Sequence, residues 1–422
     1  MSIQKTKTNP IRKFFKALGP GVITGAADDD PSGVATYSVA GAQLGTSMLW
    51  TAFVTWPLMA CVQNMCARIG MVTGKGLAGS LQQKFPRWLI LIASVALWIA
   101  NTINVGADLA GMADAAGMLI RVKSPVFIIL FGVGIAWATV NCRYNQIASI
   151  LKWLALVLFS YVITAFVIRP DWRVVAHDSF IPTLPKGHEA WSTLVAILGT
   201  TISPYLFFWQ ASQEVEEEKA KGRRVLVQRL GASESELQVR RLDVGVGTFF
   251  SNLVMFFIIL TCAMALHKRG LTEVQTSRQA AEALRPFAGG FATALYAVGI
   301  IGVGLLAIPT LTASAAYALA EIFHWRQGLD KSLKQARPFY MVVILSTVAA
   351  MAMEFAHISP VKALYWTAII NGLLAPFLLA GILAVASDRK LMNGQPSSRI
   401  SRLVVLLTTF VMFVAAIAMF LV

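Results

Sequence analysis

The sequence predicts an all-α, polytopic membrane fold, on three observations. Of its 422 residues, 56% are hydrophobic and only 14% are charged, whereas a water-soluble domain carries about a quarter charged residues. The apolar residues gather into eleven runs, each close to the ~20 residues a helix needs to cross a bilayer. The charges fall mainly between those runs and sort by side. Secreted, disordered and soluble-enzyme readings are excluded. The net charge of +15 would suggest nucleic acid in a soluble chain; here it reads as topology, with the lipid bilayer and not nucleic acid as the expected surroundings.

The predicted spans fall near Leu18–Leu44, Met48–Ile69, Trp88–Gly117, Pro125–Val140, Ile147–Ile168 and Trp191–Gln213. The others fall near Val244–Leu266, Phe291–Ile322, Pro338–Met353, Val361–Ala386 and Leu403–Val422. They make one membrane domain: a first half over 18–168, a second over 191–386 and an additional helix at 403–422. With the N-terminus in the cytoplasm, 26 of the 36 Lys and Arg residues lie inside and 10 outside. That bias predicts an inner or plasma membrane protein with its N-terminus inside and its C-terminus outside.

Four cysteines (Cys61, Cys66, Cys142 and Cys262) lie in or beside apolar runs without CxxC spacing, as small packed hydrophobes do. The five histidines are scattered and form no HExxH pair, which argues against a zinc enzyme. The basic stretch Lys5 to Lys16 precedes an apolar segment too long and too interrupted for a cleaved signal peptide. The polar stretch Glu214–Asp243 reads as a solvated cytoplasmic helix and loop.

Two spans carry breaks at mid-membrane. In the first, Asp28, Asp29 and Asp30 stand inside an apolar run, followed by Pro31, Ser32 and Gly33. A central aspartate costs about 2.5 kcal/mol or more even on lenient insertion scales. The proline pushes Asp30 out of the α region and deletes a helical hydrogen bond. Asp30 lies 12 residues after Leu18, about 18 Å of helix and near the bilayer centre. The sixth span repeats the construction: Ser203 precedes Pro204, 12 residues after Trp191. Entered from opposite sides, spans one and six make the two halves inverted repeats, and paired interrupted spans point to a central substrate site. Pro309, Pro360 and Pro376 are expected to be ordinary kinks. Asp30 sits at the break and is the favoured ligand, while Asp28 and Asp29 line the vestibule or pair with a cation.

A carboxylate, hydroxyls and freed carbonyls form a hard, all-oxygen site suited to Mg²⁺, Ca²⁺ or Mn²⁺; neither break carries Met, Cys or His. Small residues there (Ala27, Ser32, Gly33, Thr200, Ser203) leave room for an ion that keeps some of its water.

These segments resemble the Nramp family of divalent-metal transporters. Asp30-Pro31-Ser32-Gly33 is similar to that family's Asp-Pro-Gly-Asn motif, and Ser203-Pro204-Tyr205 falls where it has Met-Pro-His. The resemblance implies a LeuT-like 5+5 inverted-repeat fold, transport without a cofactor, and metal ligands at Asp30, Ala27, Gly33, Thr200, Ser203 and Tyr205, with backbone carbonyls supplied by Ala27 and Thr200. Replacement of the family's methionine by Ser203 and its histidine by Tyr205 is similar to the Nramp-related magnesium transporters, which implies Mg²⁺, with Mn²⁺ also accepted. Asp108-Leu109-Ala110-Gly111 resembles the family's Asp-Leu-Ala-Glu, with Gly111 in place of a glutamate linked to proton movement. Gln210 stands near the place of a second sixth-span histidine, and Arg337 is what is left of a ninth-span arginine pair. Asp28, Asp29, Asp108 and Gln210 are thus the candidates for supporting or proton-path roles.

The expectation is a non-enzymatic, monomeric transporter working by alternating access with little or no proton coupling. Three alternatives stand beside it. One is a proton-coupled Mn²⁺/Fe²⁺ importer, and another is an amino-acid or amine symporter on the same fold. The third is a membrane-embedded hydrolase pairing Asp30 with Asp108, for which the sequence shows no supporting motif.

Overall fold

The computed structural model describes residues 20–120, 124–142, 156–353 and 359–421, all helix, turn or loop with no strand among them. The interrupted first span is two helices, α1 (Pro20–Asp28) and α2 (Pro31–Leu44), followed by α3 (Trp50–Thr73), α4 (Arg87–Leu119), α5 (Ser124–Asn141) and α6 (Ser160–Ile168). The interrupted sixth span is α7 (His188–Thr201) and α8 (Pro204–Ala220). After it come α9 (Glu234–Ala265), α10 (Ala292–Ile322), α11 (Arg337–Ala352), α12 (Pro360–Ser387) and α13 (Arg399–Leu421). Apart from the breaks at Asp29–Asp30 and Ile202–Ser203 and single residues near span ends, every predicted span is helical in its described part. The basic N-terminus, the start of the first span and the start of the fifth lie outside the described residues.

Seven described helical segments are long and apolar enough to cross a membrane on their own, fewer than the eleven runs read from the sequence. The physical reason is local. The first span is cut into pieces of 9 and 14 residues, and α11 has only 16; the fifth span is described only from Leu156 onward.

Two expectations need correction. Glu214–Asp243 is not one solvated segment, because α8 continues to Ala220, α9 already begins at Glu234, and Glu214, Arg240 and Asp243 are buried. Ser233 starts α9 with a capping box, its side chain accepting from Glu236 N while Glu236 reaches back to Ser233 N, which fixes the helix start ten residues before its apolar run. Pro360 does not kink a helix but opens α12 at its first turn, where its missing N–H costs nothing. Pro309 and Pro376 do lie inside helices.

The two halves pack in matching ways. Helix α2 lies on α9, as α8 lies on α3. Both seams are close enough to require glycine: a Cβ on Gly41 would stand 2.3 Å from the Ile259 carbonyl, and one on Gly70 would stand 2.4 Å from the Ala211 carbonyl. Small residues are how membrane helices come this close. Helices α4 and α10 form the most extensive pairing and back the two breaks. Helix α12 packs on both α2 and α7.

Candidate metal site

The first break follows from Asp30 and Pro31. Asp28 ends α1, and Asp30 is extended (φ −66°, ψ 171°), as a residue before proline must be. From there Asp30 caps α2. Its Oδ1 accepts from Gly33 N at 2.7 Å and from Ser32 Oγ at 2.7 Å, satisfying an N–H that has no partner within the helix.

At the second break α7 ends at Thr201, Ser203 is extended (φ −76°, ψ 130°), and Pro204 opens α8. The Ser203 hydroxyl folds back instead of capping α8. Its proton is shared between the Gly199 carbonyl (2.8 Å) and the Thr200 carbonyl (2.7 Å), leaving the oxygen lone pairs available as acceptors.

The breaks meet. Tyr205 Oη donates to the Ala27 carbonyl at 2.9 Å, tying the first turn of α8 to the last turn of α1. Gly33 faces Thr200, where a Cβ would stand 3.2 Å from Thr200 Oγ1. Ala27, Asp30, Gly33, Thr200, Ser203 and Tyr205 therefore gather at one crossing, and Asp30, Ser203 and Tyr205 are each 2% exposed or less. Two helix C-termini, those of α1 and α7, end here, and their last carbonyls, bonded by the Tyr205 and Ser203 hydroxyls and not by helix N–H groups, carry the negative end of the helix dipole. That field favours a cation.

A residue the sequence reading missed completes the crossing. Asn104 Nδ2 donates to Asp30 Oδ2 at 3.1 Å, and Asn104 Oδ1 is buried without a hydrogen-bond partner. The signal was present in α4, where Asn101, Asn104 and Asp108 form a polar stripe at helical spacing in an apolar segment. Asp108 lies one turn beyond Asn104, fully buried, with no side-chain hydrogen-bond partner for its carboxylate among the described residues.

The remaining candidates are placed elsewhere. Asp28 and Asp29 turn to α9, where Ser251 Oγ lies 2.6 Å from Asp28 Oδ2 and 3.2 Å from Asp29 Oδ1. Among the described residues neither has a side-chain cation within salt-bridge distance. Gln210 stands away from the crossing: its Oε1 accepts from Thr24 Oγ1 at 2.6 Å and its Nε2 donates to Glu214 Oε1 at 2.6 Å. Glu214 in turn binds Arg240 at 2.7 Å, and Arg240 also holds Glu217 and Asp243. Asp243 Oδ2 accepts from Gly21 N at 2.8 Å. Helices α1, α8 and α9 are thus latched by a buried ionic network beneath the crossing.

Among the described residues no three His, Cys, Asp or Glu side chains are arranged around a common metal position. The crossing instead offers one carboxylate with neutral oxygens, namely carbonyls, hydroxyls and the Asn104 amide. That donor set suits a hard dication which keeps part of its water.

The chain is 25% identical over 422 residues to the divalent metal cation transporter MntH of Caldanaerobacter subterraneus subsp. tengcongensis, covering 97% of this chain and 94% of that protein. It is 24% identical over 403 residues to the MntH of Mesorhizobium japonicum, covering 91% and 83%. Among solved structures, the Eremococcus coleocola manganese transporter superposes with a TM-score of 0.73 at 18% identity, covering 98% of this chain and 88% of that one. Mhp1, a nucleobase-cation-symport-1 family transporter, gives 0.59 at 16% identity, covering 95% and 90%. These two likenesses establish the fold, an inverted-repeat architecture with interrupted first and sixth helices. The sequence model for natural resistance-associated macrophage protein-like proteins matches residues 21–422, and with that match the chain belongs to the Nramp family of membrane transporters.

Proposed function

We propose that this protein carries divalent metal cations across the membrane by alternating access, with Mg²⁺ as the main substrate, Mn²⁺ also accepted, and little or no proton coupling. The observation that carries the reading is the donor set at the crossing. Asp30, the Ala27 and Thr200 carbonyls, Ser203, Tyr205 and Asn104 present only oxygen, with no sulfur or imidazole to favour a softer metal. Asp30 supplies the charge, and its fixed contacts to Ser32, Gly33 and Asn104 hold it in place. The Ala27 carbonyl is occupied by Tyr205, so a hydrated ion reaches it through water or through the tyrosine oxygen. Burial of the site fits a closed step of the cycle. The repeats span 18–168 and 191–386, with an additional helix at 403–422, in a monomer set in the lipid bilayer of the cell membrane with the N-terminus cytoplasmic and the C-terminus outside.

Gly111 supports weak proton coupling. A Cβ there would meet Leu364 Cδ1 at 3.0 Å, so this position is packed against hydrocarbon and holds no proton carrier. One observation favours the second reading, a proton-coupled Mn²⁺/Fe²⁺ importer: Asp108 is a buried carboxylate with no side-chain partner among the described residues, as a proton relay would be. Uptake of Mg²⁺, Mn²⁺ and Ca²⁺ into proteoliposomes holding a pH-sensitive dye separates the two. Saturable Mg²⁺ entry without acidification is expected; acidification in step with metal entry would establish the importer instead.

A further inference from the structure

A second cavity lies apart from the metal crossing, at the face where α3, α8 and α10 end. It encloses about 810 Å³, within the ~300–1,000 Å³ range of small-molecule sites. Its walls come from both halves of the chain: the end of α3 and the Gly74–Gly79 turn from the first, and Val215, Lys219 and the segment after α10 from the second.

The charges lining it are lopsided. Five cations (Lys75, Lys219, Arg229, Arg326 and Lys331) face one carboxylate, Glu321. Two of the five are engaged within the protein: Lys219 with Glu216 at 2.7 Å, and Arg229 with the carbonyls of Gly74, Arg223 and Arg224. Lys75, Arg326 and Lys331 have no carboxylate within salt-bridge distance among the described residues. Glu321 forms an ion pair with none of them: its Oε2 accepts from Gly79 N at 2.8 Å and its Oε1 from Gln327 Nε2 at 3.4 Å, and its single charge leaves the cations in excess. Three cations around one concave space call for an anion of more than one charge. The wall also contains an aromatic ring. Trp325 borders the cavity with one face stacked on Phe323, ring centroids 4.9 Å apart at 17°. Beside it stand the amides of Gln82 and Gln335, which donate and accept hydrogen bonds.

From the three unpaired cations, the aromatic wall and the volume, we propose that this cavity binds a nucleoside polyphosphate. The phosphates lie on Lys75, Arg326 and Lys331, and the base lies against Trp325 with its edge toward the glutamine amides. The charge bias of the sequence puts this face in the cytoplasm, and the inference rests on that orientation for its physiological ligand but not for binding itself. Because the walls belong to both halves, a ligand held between them is linked to whatever relative movement the halves make.

The test uses full-length protein in zwitterionic nanodiscs, with EDTA present so that metal chelation by the ligand plays no part. Binding of ATP, adenosine and inorganic tripolyphosphate is measured by calorimetry for the wild type, K75Q/R326Q/K331Q and W325L. The expected result is saturable ATP binding with no binding of adenosine. It is weakened about 10-fold or more by the triple substitution and several-fold by W325L, which leaves tripolyphosphate unaffected. Arg326 and Lys331 are exposed, so R326Q/K331Q serves as the folded control if the triple variant melts early, and it must still weaken ATP. No ATP binding in the wild type, or equal binding in the variants, overturns the proposal. Tripolyphosphate binding as tightly as ATP with W325L silent would show a general anion site and also overturn it. Loss of ATP binding when the nanodiscs carry anionic lipid would assign the cavity to a lipid headgroup instead.

Discussion

The Tyr205 hydroxyl lies 2.9 Å from the Ala27 carbonyl, so the start of α8 is hydrogen-bonded to the end of α1 across the membrane's interior. The contact occupies the donor of Tyr205 and leaves its oxygen as an acceptor. Tyr205→Phe deletes both the link and a possible oxygen ligand while keeping the ring, which is 1% exposed. Dication affinity should fall several-fold by isothermal titration, with a stability cost of about 1 kcal/mol for the lost hydrogen bond. Unchanged Mg²⁺ affinity would remove Tyr205 from the site.

Asp30 has two roles that different substitutions separate. Alanine removes the charge and the N-cap of α2, and a lost cap costs about 0.5–2 kcal/mol. Asparagine removes the charge and can keep the cap to Gly33 N. Asp30→Asn should abolish uptake in proteoliposomes while melting within a degree or two of the wild type. Asp30→Ala should abolish uptake and melt lower than Asp30→Asn. Normal uptake by either variant would show that Asp30 is not the ligand.

Ser203 is the position where sulfur would alter selectivity. Ser203→Met should raise Mn²⁺ and Cd²⁺ affinity relative to Mg²⁺ by about 10-fold, because a thioether favours softer metals. The same change deletes the hydroxyl bonds to the Gly199 and Thr200 carbonyls and adds bulk at a buried site, so a lower melting temperature is expected. Competition of each metal against Mn²⁺ uptake reads the ratio directly.

Arg240 holds Glu214, Glu217 and Asp243 while itself almost wholly buried. Arg240→Met leaves these carboxylates without their shared cation, a change that costs about 3–5 kcal/mol when a buried pair is broken. The latch joining α1, α8 and α9 should fail, and the detergent-solubilised protein should melt well below the wild type. Arg240→Lys keeps one charge but not the three-way fork and should lie between. A wild-type melting curve for Arg240→Met would show that the network is not structural.

At the surface, Asp388 is held below the usual carboxylate range by the hydrogen bond from Lys84, assisted by the backbone N–H groups of Leu391 and Lys390. A depressed carboxylate contributes stability above its unfolded pKa of about 3.9, and that contribution disappears as pH falls through the lower folded value. Lys84→Met should therefore melt slightly below the wild type at pH 6, and the difference should narrow progressively as pH falls below about 4. A difference that does not narrow with falling pH would assign the effect to packing of the lysine stem.

The sequence by itself determined the membrane fold and the two breaks. Eleven apolar runs have few stable forms in lipid other than helices, and a residue before proline is extended wherever it occurs, so Asp30 and Ser203 were legible as points of unwinding. What it did not determine is which polar groups meet. Asn104 reaches Asp30 from a helix 74 residues away, Ser251 takes Asp28 and Asp29 from 222 or more residues away, and Arg240 turns an apparently solvated stretch into a buried latch. A carboxylate in a membrane protein must find a donor, but local sequence says only that one is needed. The packing of α4 and α9 against the broken helices decides which donor it is, because burial makes an unpaired polar group costly and the tertiary fold alone brings distant donors within reach.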